Sequence, residues 1–257
     1  MMNDLIDDES NGEAGTNDPE SDADTKSSKT LLLIRHCEDE QWNDKTRICA
    51  TRWSSWHKED HRRLAQTMEA FTDPCLTERG CRDAEAGALR RVAEHFCPDI
   101  VYCSPLSRAL QTALLAFGDK KGVRFVVHPA LKELKRDYTY GGRFPGGKPS
   151  CVPLTLIALR AAVRRCAPQC YDRCDWSHVQ CACNDDGHFF DAKQSNASMK
   201  TGLRKLIEDI SSQDRYNRIA VVSHGNVIRE LSRSEKIMHG KCILSEVREG
   251  RVVMPIK

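Results

Sequence analysis

A chain of 257 residues, 40% hydrophobic and 30% charged, has the composition of an ordinary globular protein and is long enough for one large domain. It holds no run of about 18 apolar residues, so no membrane span is expected, and its first thirty residues lack the apolar core of a secretory signal. The formal net charge of +2 is uneven. Residues 1–29 carry nine acidic side chains against Lys26 and Lys29, a net of −7, which leaves +9 on the rest. A basic body suits an anionic substrate and equally serves as a solvated surface.

In chain order, residues 1–29 are too poor in apolar side chains to offset the entropy of ordering, so a disordered acidic tail is expected there. Residues 31–34 form a short apolar run that ends in Arg35-His36 and reads as a buried strand. Residues 73–77 read as a turn into one helix over 78–96, with Ala84, Leu89, Val92 and Ala93 on its inward face. A second strand spans 99–103. The next helix runs to about Phe117, with Pro105 in its first turn, where a missing N–H costs little. Residues 124–127 are a third strand, and residues 135–153, with two Gly-Gly pairs among prolines, are loop-like. Residues 154–165 and 199–210 look helical. A fourth buried strand at 219–223 precedes Gly225 and a helix from about Val227. Residues 241–253 read as a hairpin turning at 248–251. Strands alternating with helices imply an α/β domain with a mostly parallel sheet over residues 30–257.

Three polar groups stand just past strands or at the helix starts that follow them: Arg35-His36, Arg108 and His224. In open α/β sheets, ligands bind at the carboxyl ends of strands, so residues far apart in sequence converge there. Arginine stays charged and grips phosphate with two N–H groups. The helix start after Ser104-Pro105 and the backbone at Gly225 offer further N–H donors to an anion. A neutral imidazole is a competent nucleophile for phosphorus, and nearby arginine charge keeps it neutral. Two histidines and two arginines supply the positioning and charge neutralisation that phosphoryl transfer needs.

The segment Leu32-Leu33-Ile34-Arg35-His36-Cys37-Glu38 resembles the signature of the histidine phosphatase (phosphoglycerate mutase-like) superfamily, branch 1. Asp73-Pro74-Cys75-Leu76-Thr77-Glu78-Arg79-Gly80 is similar to that family's Leu-Thr-x-x-Gly helix start. The run from Val101 through Ser104-Pro105-Leu106-Ser107-Arg108 to Ala113 resembles its second block. Leu131-Lys132-Glu133-Leu134 looks like its acid block, and Val221-Val222-Ser223-His224-Gly225 like its last. The blocks occur in the family's order.

The resemblance implies a three-layer α/β/α sandwich with a variable insert at about 135–200. It implies phosphomonoester hydrolysis through a phosphohistidine at His36, without a metal or other cofactor. Arg35, Arg108 and His224 would form the phosphate pocket with Gly225, and Glu133 would protonate the leaving oxygen. Glu38 and Asp137 remain alternative acids. The same residues serve a phosphoglycerate mutase-type transfer, or an inactive module that binds a phosphorylated ligand.

Four departures qualify the match. Cys37 replaces the usual glycine and reads as a plain small-residue substitution, the alternative being a thiol beside the nucleophile whose oxidation would disable the enzyme. The stretch from Glu38 to Asn43 resembles the mutase branch with one extra residue, which makes Asn43 a candidate phosphate ligand. Cys166, Cys170, Cys174, Cys181 and Cys183, with His178 and His188, fit either a zinc site or free thiols, and no paired C-x2-C motif occurs. The basic and aromatic stretch 47–63 suits a phosphorylated small molecule, single-stranded nucleic acid or a plain surface helix.

The substrate expected is a phosphorylated small molecule or a phosphoprotein, with no membrane or nucleic-acid partner. Oligomeric state is unreadable. An odd count of 13 cysteines without a secretory signal points to reduced thiols and a cytoplasmic protein.

Overall fold

The computed structural model describes residues 28–40, 73–133, 153–189, 196–233 and 237–253. The acidic tail up to Ser27, Asn43, the stretch 47–63 and Asp137 lie outside the described residues. In chain order the elements are β1 (Lys29–Arg35), α1 (Glu78–Glu85), α2 (Ala88–Phe96), β2 (Ile100–Cys103), α3 (Ser107–Phe117), β3 (Arg124–Val127) and a 3-10 turn (Pro129–Leu131). Next come α4 (Leu156–Cys166), α5 (Pro168–Tyr171), β4 (Cys174–Asp175), α6 (Ser177–Gln180) and α7 (Asn196–Ser212). The chain then forms β5 (Arg218–Ser223), α8 (Gly225–Ser232), β6 (Cys242–Arg248) and β7 (Arg251–Val253).

One seven-stranded sheet runs in the order β4-β3-β2-β5-β1-β6-β7. Strands β1 to β5 are mutually parallel, and β6 and β7 add an antiparallel edge as the expected hairpin. The strands alternate between two cores, as a period of two requires. Leu32, Ile34, Val101, Cys103, Phe125, Ala220 and Val222 pack on one face with residues of α1 to α4. Leu31, Leu33, Tyr102, Val126, Ile219 and Val221 pack on the other with residues of α7 and α8. The fold is the expected three-layer α/β/α sandwich.

Three details differ from the sequence reading. The single helix over 78–96 is two, separated at Ala86-Gly87. Ala86 leaves helical geometry, and Gly87, extended, starts α2. Pro105 lies two residues ahead of α3 rather than inside it, because Asp73 caps that helix from a distance. Its Oδ1 accepts from the Ser107 N–H at 2.8 Å, while Oδ2 accepts from the Ser107 hydroxyl at 2.8 Å and from the Leu154 N–H at 3.0 Å. The third difference is β4, a two-residue edge strand within the insert, too short to show a period.

The cysteine-rich segment is not a zinc centre among the described residues, where the only group with metal-ligand proximity is His36, Asp39 and His239. Cys166 and Cys181 are exposed, whereas Cys170, Cys174 and Cys183 are buried in the core. All the described cysteines are free thiols.

Candidate active site

Residues at the carboxyl ends of β1, β2, β3 and β5 meet in one pocket. Arg35 is the last residue of β1 and His36 follows it, 2% exposed. Arg108 sits in the first turn of α3, 1% exposed. His224 is fully buried at the cap of α8. The 3-10 turn after β3 delivers Glu133, whose side chain is partly exposed.

The His36 backbone is held from three directions. Its N–H donates to Ser223 O of β5 at 2.9 Å, and the Gly240 N–H donates to the carbonyls of both Arg35 and His36, at 3.1 and 3.2 Å. The Cys37 N–H donates to Thr112 Oγ1 of α3 at 3.0 Å. Helix α1 completes the cradle: Thr77 caps it by accepting from the Gly80 N–H, and the Thr77 N–H donates to Glu38 O at 3.1 Å. Gly80 is a glycine for a steric reason, since a Cβ there would lie 2.1 Å from Glu38 O. The Leu-Thr-x-x-Gly block thus packs a helix start against the segment that carries His36.

The His36 ring has a defined tautomer. Nδ1 lies 2.7 Å from Cys37 O, and a carbonyl only accepts, so Nδ1 carries the proton and Nε2 keeps its lone pair. Burial, and then the charge of Arg108, hold the imidazole well below its ordinary pKa, so the ring is neutral. His224 stands 5.1 Å away, centroid to centroid, and its pKa is lowered by burial, Arg108 and Arg35. Its Nε2 is 2.9 Å from the Ser104 hydroxyl, and its Nδ1, 3.8 Å from Glu133 Oε2, makes no hydrogen bond among the described residues. If Ser104 donates to Nε2, then Nδ1–H is a donor aimed at the pocket.

Arg108 is a buried cation whose charge is matched. Its Nη2 donates to Glu133 Oε2 at 2.6 Å, and its Nε lies 3.3 Å from Asp39 Oδ2. Arg35 donates through Nη1 to Ile237 O at 2.7 Å and through Nη2 to His239 Nε2 at 2.7 Å. Burial lowers its pKa, opposed by the charges of Glu133 and Asp39. The guanidinium lies over Gly225, where an added Cβ would come within 3.4 Å of Cζ.

The structure therefore brings together Arg35, His36, Arg108, Glu133, His224 and Gly225. Asn43 and Asp137 lie outside the described residues. Glu38, weighed as an alternative acid, faces the start of α1 instead, its Oε1 accepting from the Thr77 hydroxyl at 3.1 Å. Glu133 has an arginine and a histidine as neighbours. Two pocket residues escaped the sequence reading: Asp39, 3.8 Å from His36 Nδ1, and His239, whose ring is 5.0 Å from that of His36. Together with His36 they place donor atoms within 4.8 Å of one another. Arg108 and Arg35 already occupy Asp39 and His239, so a metal ion would have to displace two guanidinium contacts, and the donor set does not fit one.

Cys37 is placed as a plain small-residue substitution rather than as a vulnerable thiol. It is 1% exposed, its Sγ points toward Thr112 and Gly240 rather than into solvent, and burial pushes its pKa up to about 12. Oxidation proceeds through an accessible thiolate, and Cys37 is neither accessible nor a thiolate. Gly240, at φ +65°, leaves the room: a Cβ there would sit 3.3 Å from Cys37 Sγ.

The sequence model for the histidine phosphatase superfamily (branch 1) matches residues 31–142. Residues 31–142 of this chain are thus similar to the histidine phosphatase superfamily. No curated protein matches this chain. Among solved structures, the ecdysone phosphate phosphatase of Bombix mori in complex with tungstate is 14% identical, covering 88% of this chain and 92% of that one, with a TM-score of 0.55. The alpha-ribazole phosphatase of Shigella flexneri is 19% identical, covering 88% and 95%, with a TM-score of 0.48. A phosphoserine phosphatase of Entamoeba histolytica, in complex with 3-phosphoglyceric acid, is 23% identical, covering 87% and 93%, with a TM-score of 0.46. At such identity the Bombix mori likeness speaks for the fold, which agrees with the sandwich described above. Among the described residues no helix is long and apolar enough to cross a membrane.

Proposed function

We propose that this chain is a member of the histidine phosphatase superfamily and hydrolyses phosphomonoesters through a covalent phosphohistidine at His36. The observation that carries this reading is the His36 ring itself: buried, neutral, with Nδ1–H spent on Cys37 O and the Nε2 lone pair left for phosphorus. Two arginines and His224 stand around it to neutralise the phosphoryl oxygens.

In the first step His36 Nε2 attacks phosphorus, the N–P bond forms and the ester P–O bond breaks. Glu133 gives a proton to the departing oxygen. An incoming phosphoryl group competes with Glu133 for the Arg108 guanidinium. A carboxylate that yields its arginine to phosphate, and then faces that phosphate's negative charge, takes up the proton that the step requires. In the second step water attacks phosphorus and passes a proton to Glu133, and the N–P bond breaks to restore Nε2. Arg35 and Arg108 supply the positive charge, so no metal is required. The substrate class proposed is a phosphorylated small molecule, since the Bombix mori relative is named for a phosphate ester of ecdysone. The site proposed for catalysis is His36, Glu133 and His224, with Arg35, Arg108 and Gly225 binding phosphate.

The test is hydrolysis of p-nitrophenyl phosphate across pH 4.5–8 with EDTA present, beside His36→Ala. The expected result is EDTA-resistant turnover that the variant lacks, with acid-labile label on His36 after a rapid quench. Turnover that survives in His36→Ala, or that EDTA abolishes, overturns the mechanism. Activity that appears only with a bisphosphate primer reassigns the pocket to mutase-type transfer.

A further inference from the structure

The end of the sheet opposite the pocket carries a second concentration of positive charge. A shallow groove of about 490 Å³ opens at the amino ends of β2, β3 and β5. Lys120, Lys121, Arg215 and Arg218 line it with Tyr216 and a single acid, Asp99. The Arg215 guanidinium stands 5.4 Å from the Tyr216 ring centroid, which holds it on the groove wall. Asp99 is already engaged, accepting from the N–H groups of Asn217 and Arg218 at 2.9 and 2.8 Å and standing 3.6 Å from the Arg218 guanidinium. The groove thus presents an excess of three positive charges.

The same wall anchors the start of the described chain. Lys29 is buried, and its ammonium donates to Gln213 O and to Tyr216 O, the latter at 3.0 Å. The Thr30 N–H donates to Asn217 O at 2.8 Å. The described chain therefore begins beside the loop that carries Arg215, Tyr216 and Arg218. Residues 1–27, which precede it in sequence, hold nine acidic side chains against one lysine. We propose that the groove is the docking surface for this acidic segment of the same chain, held by contacts of its carboxylates with Lys120, Lys121, Arg215 and Arg218.

Reach and tethering favour this occupant. In the order β3-β2-β5-β1, the far wall of the groove lies three strand spacings from the anchor, roughly 14 Å. Asp24, Asp22, Glu20 and Asp18 precede Lys29 by 5 to 11 residues, and an extended chain covers about 3.3 Å per residue. A short tether gives an effective concentration on the order of millimolar, so individually weak exposed ion pairs suffice. A free polyanion lacks that advantage. The groove and pocket lie at opposite ends of the strands, so docking leaves the pocket open.

The experiment is zero-length carbodiimide coupling of the full chain at low salt, followed by peptide mapping. Lys200 and Glu230, 3.2 Å apart on α7 and α8, provide an internal reference link. The expected result is amide links from the acids of residues 1–24 to Lys120 and Lys121, at least fivefold weaker in 0.5 M NaCl while the reference link stays. Arg215→Glu, which leaves both lysines in place, lowers those links at least threefold. The proposal is overturned if the reference link forms without them, or if the acids couple equally to distant lysines such as Lys205 and Lys241. Links that join differently labelled copies in a mixed ¹⁴N/¹⁵N sample assign the groove to a second copy's segment and overturn the intramolecular reading.

Discussion

The two ends of the sheet both gather cations, by opposite means. At the carboxyl end, Arg108 is buried against Glu133 and Asp39, and Arg35 is fixed by Ile237 O and His239. At the amino end, Lys121, Arg215 and Arg218 are exposed, Lys120 is half-buried, and Asp99 is the one acid among the lining residues. A charge removed from water must be compensated by well-placed partners, and those partners fix its geometry before any ligand arrives. An exposed charge keeps its hydration and is screened within about 8 Å at physiological salt. The pocket is therefore built for a fixed ligand geometry and strong interactions, and the groove for loose, salt-sensitive ones.

The sharpest way to break this contrast is to exchange arginine for lysine at both ends. Arg108→Lys keeps the charge but loses the planar fork, and kcat/KM should fall by about 10²–10³-fold at low and high salt alike. Arg218→Lys in the groove should leave turnover unchanged. Arg108→Ala is a poorer probe, because it removes a buried cation from both Asp39 and Glu133 and would cost roughly 3–5 kcal/mol of stability, readable as a lower urea midpoint. If Arg108→Lys turns over within fivefold of the parent, the guanidinium does not grip the substrate.

Sequence made one part of the pocket legible and hid the other. Arg35, His36, Arg108 and His224 stand at strand ends in contiguous blocks, and strand periodicity alone places such residues together. Asp39 and His239 are pocket residues for a different reason. Asp39 follows His36 after β1 has ended and is held by an isolated antiparallel bridge to Leu76, a contact of long sequence separation. His239 belongs to the turn before β6, which pairs antiparallel with β1 and so returns the chain to Arg35. Neither position has a local period to reveal it. Asp73 is similar: at φ +47° it reads as a turn residue, yet it caps α3 from 34 residues away. The break at Gly87 was visible as a glycine inside a helical pattern, but apolar spacing runs across it and outweighed that signal.

His239 gives the next-largest prediction. It reaches the chemistry through Arg35, so it is a positioning residue. His239→Ala removes an acceptor from the half-buried Arg35 guanidinium, a loss of about 1.5–3 kcal/mol for a charged hydrogen bond, or roughly 10–100-fold in kcat/KM. His239→Asn offers an amide oxygen to the same Arg35 N–H and should recover activity to within about threefold. Competitive inhibition by vanadate should weaken in the alanine variant and return in the asparagine one. Equal losses in both variants, with unchanged vanadate affinity, would assign His239 to packing alone.

The smallest effect separates the two ends by pH. Among the described residues no histidine lines the groove, whereas the pocket end buries neutral imidazoles. His36 and His224 are held well below the usual histidine pKa, and His128, after β3, falls to about 4 through burial and the neighbouring His178. In the unfolded chain all three titrate near 6.5. Between the folded and unfolded values the unfolded state binds more protons, so stability is complete above about pH 6.5 and is lost as pH falls below it. For His128 the window runs from 6.5 down to about 4. His128→Asn retains an acceptor for the Ala130 N–H, which the ring's Nδ1 now takes at 3.2 Å. Urea midpoints at pH 7 and pH 5 should show the parent losing about 1–2 kcal/mol more than this variant over that interval. Identical losses would mean that His128 accepts its proton within the fold, and would leave the acid sensitivity to His36 and His224, the two buried rings 5.1 Å apart in the pocket.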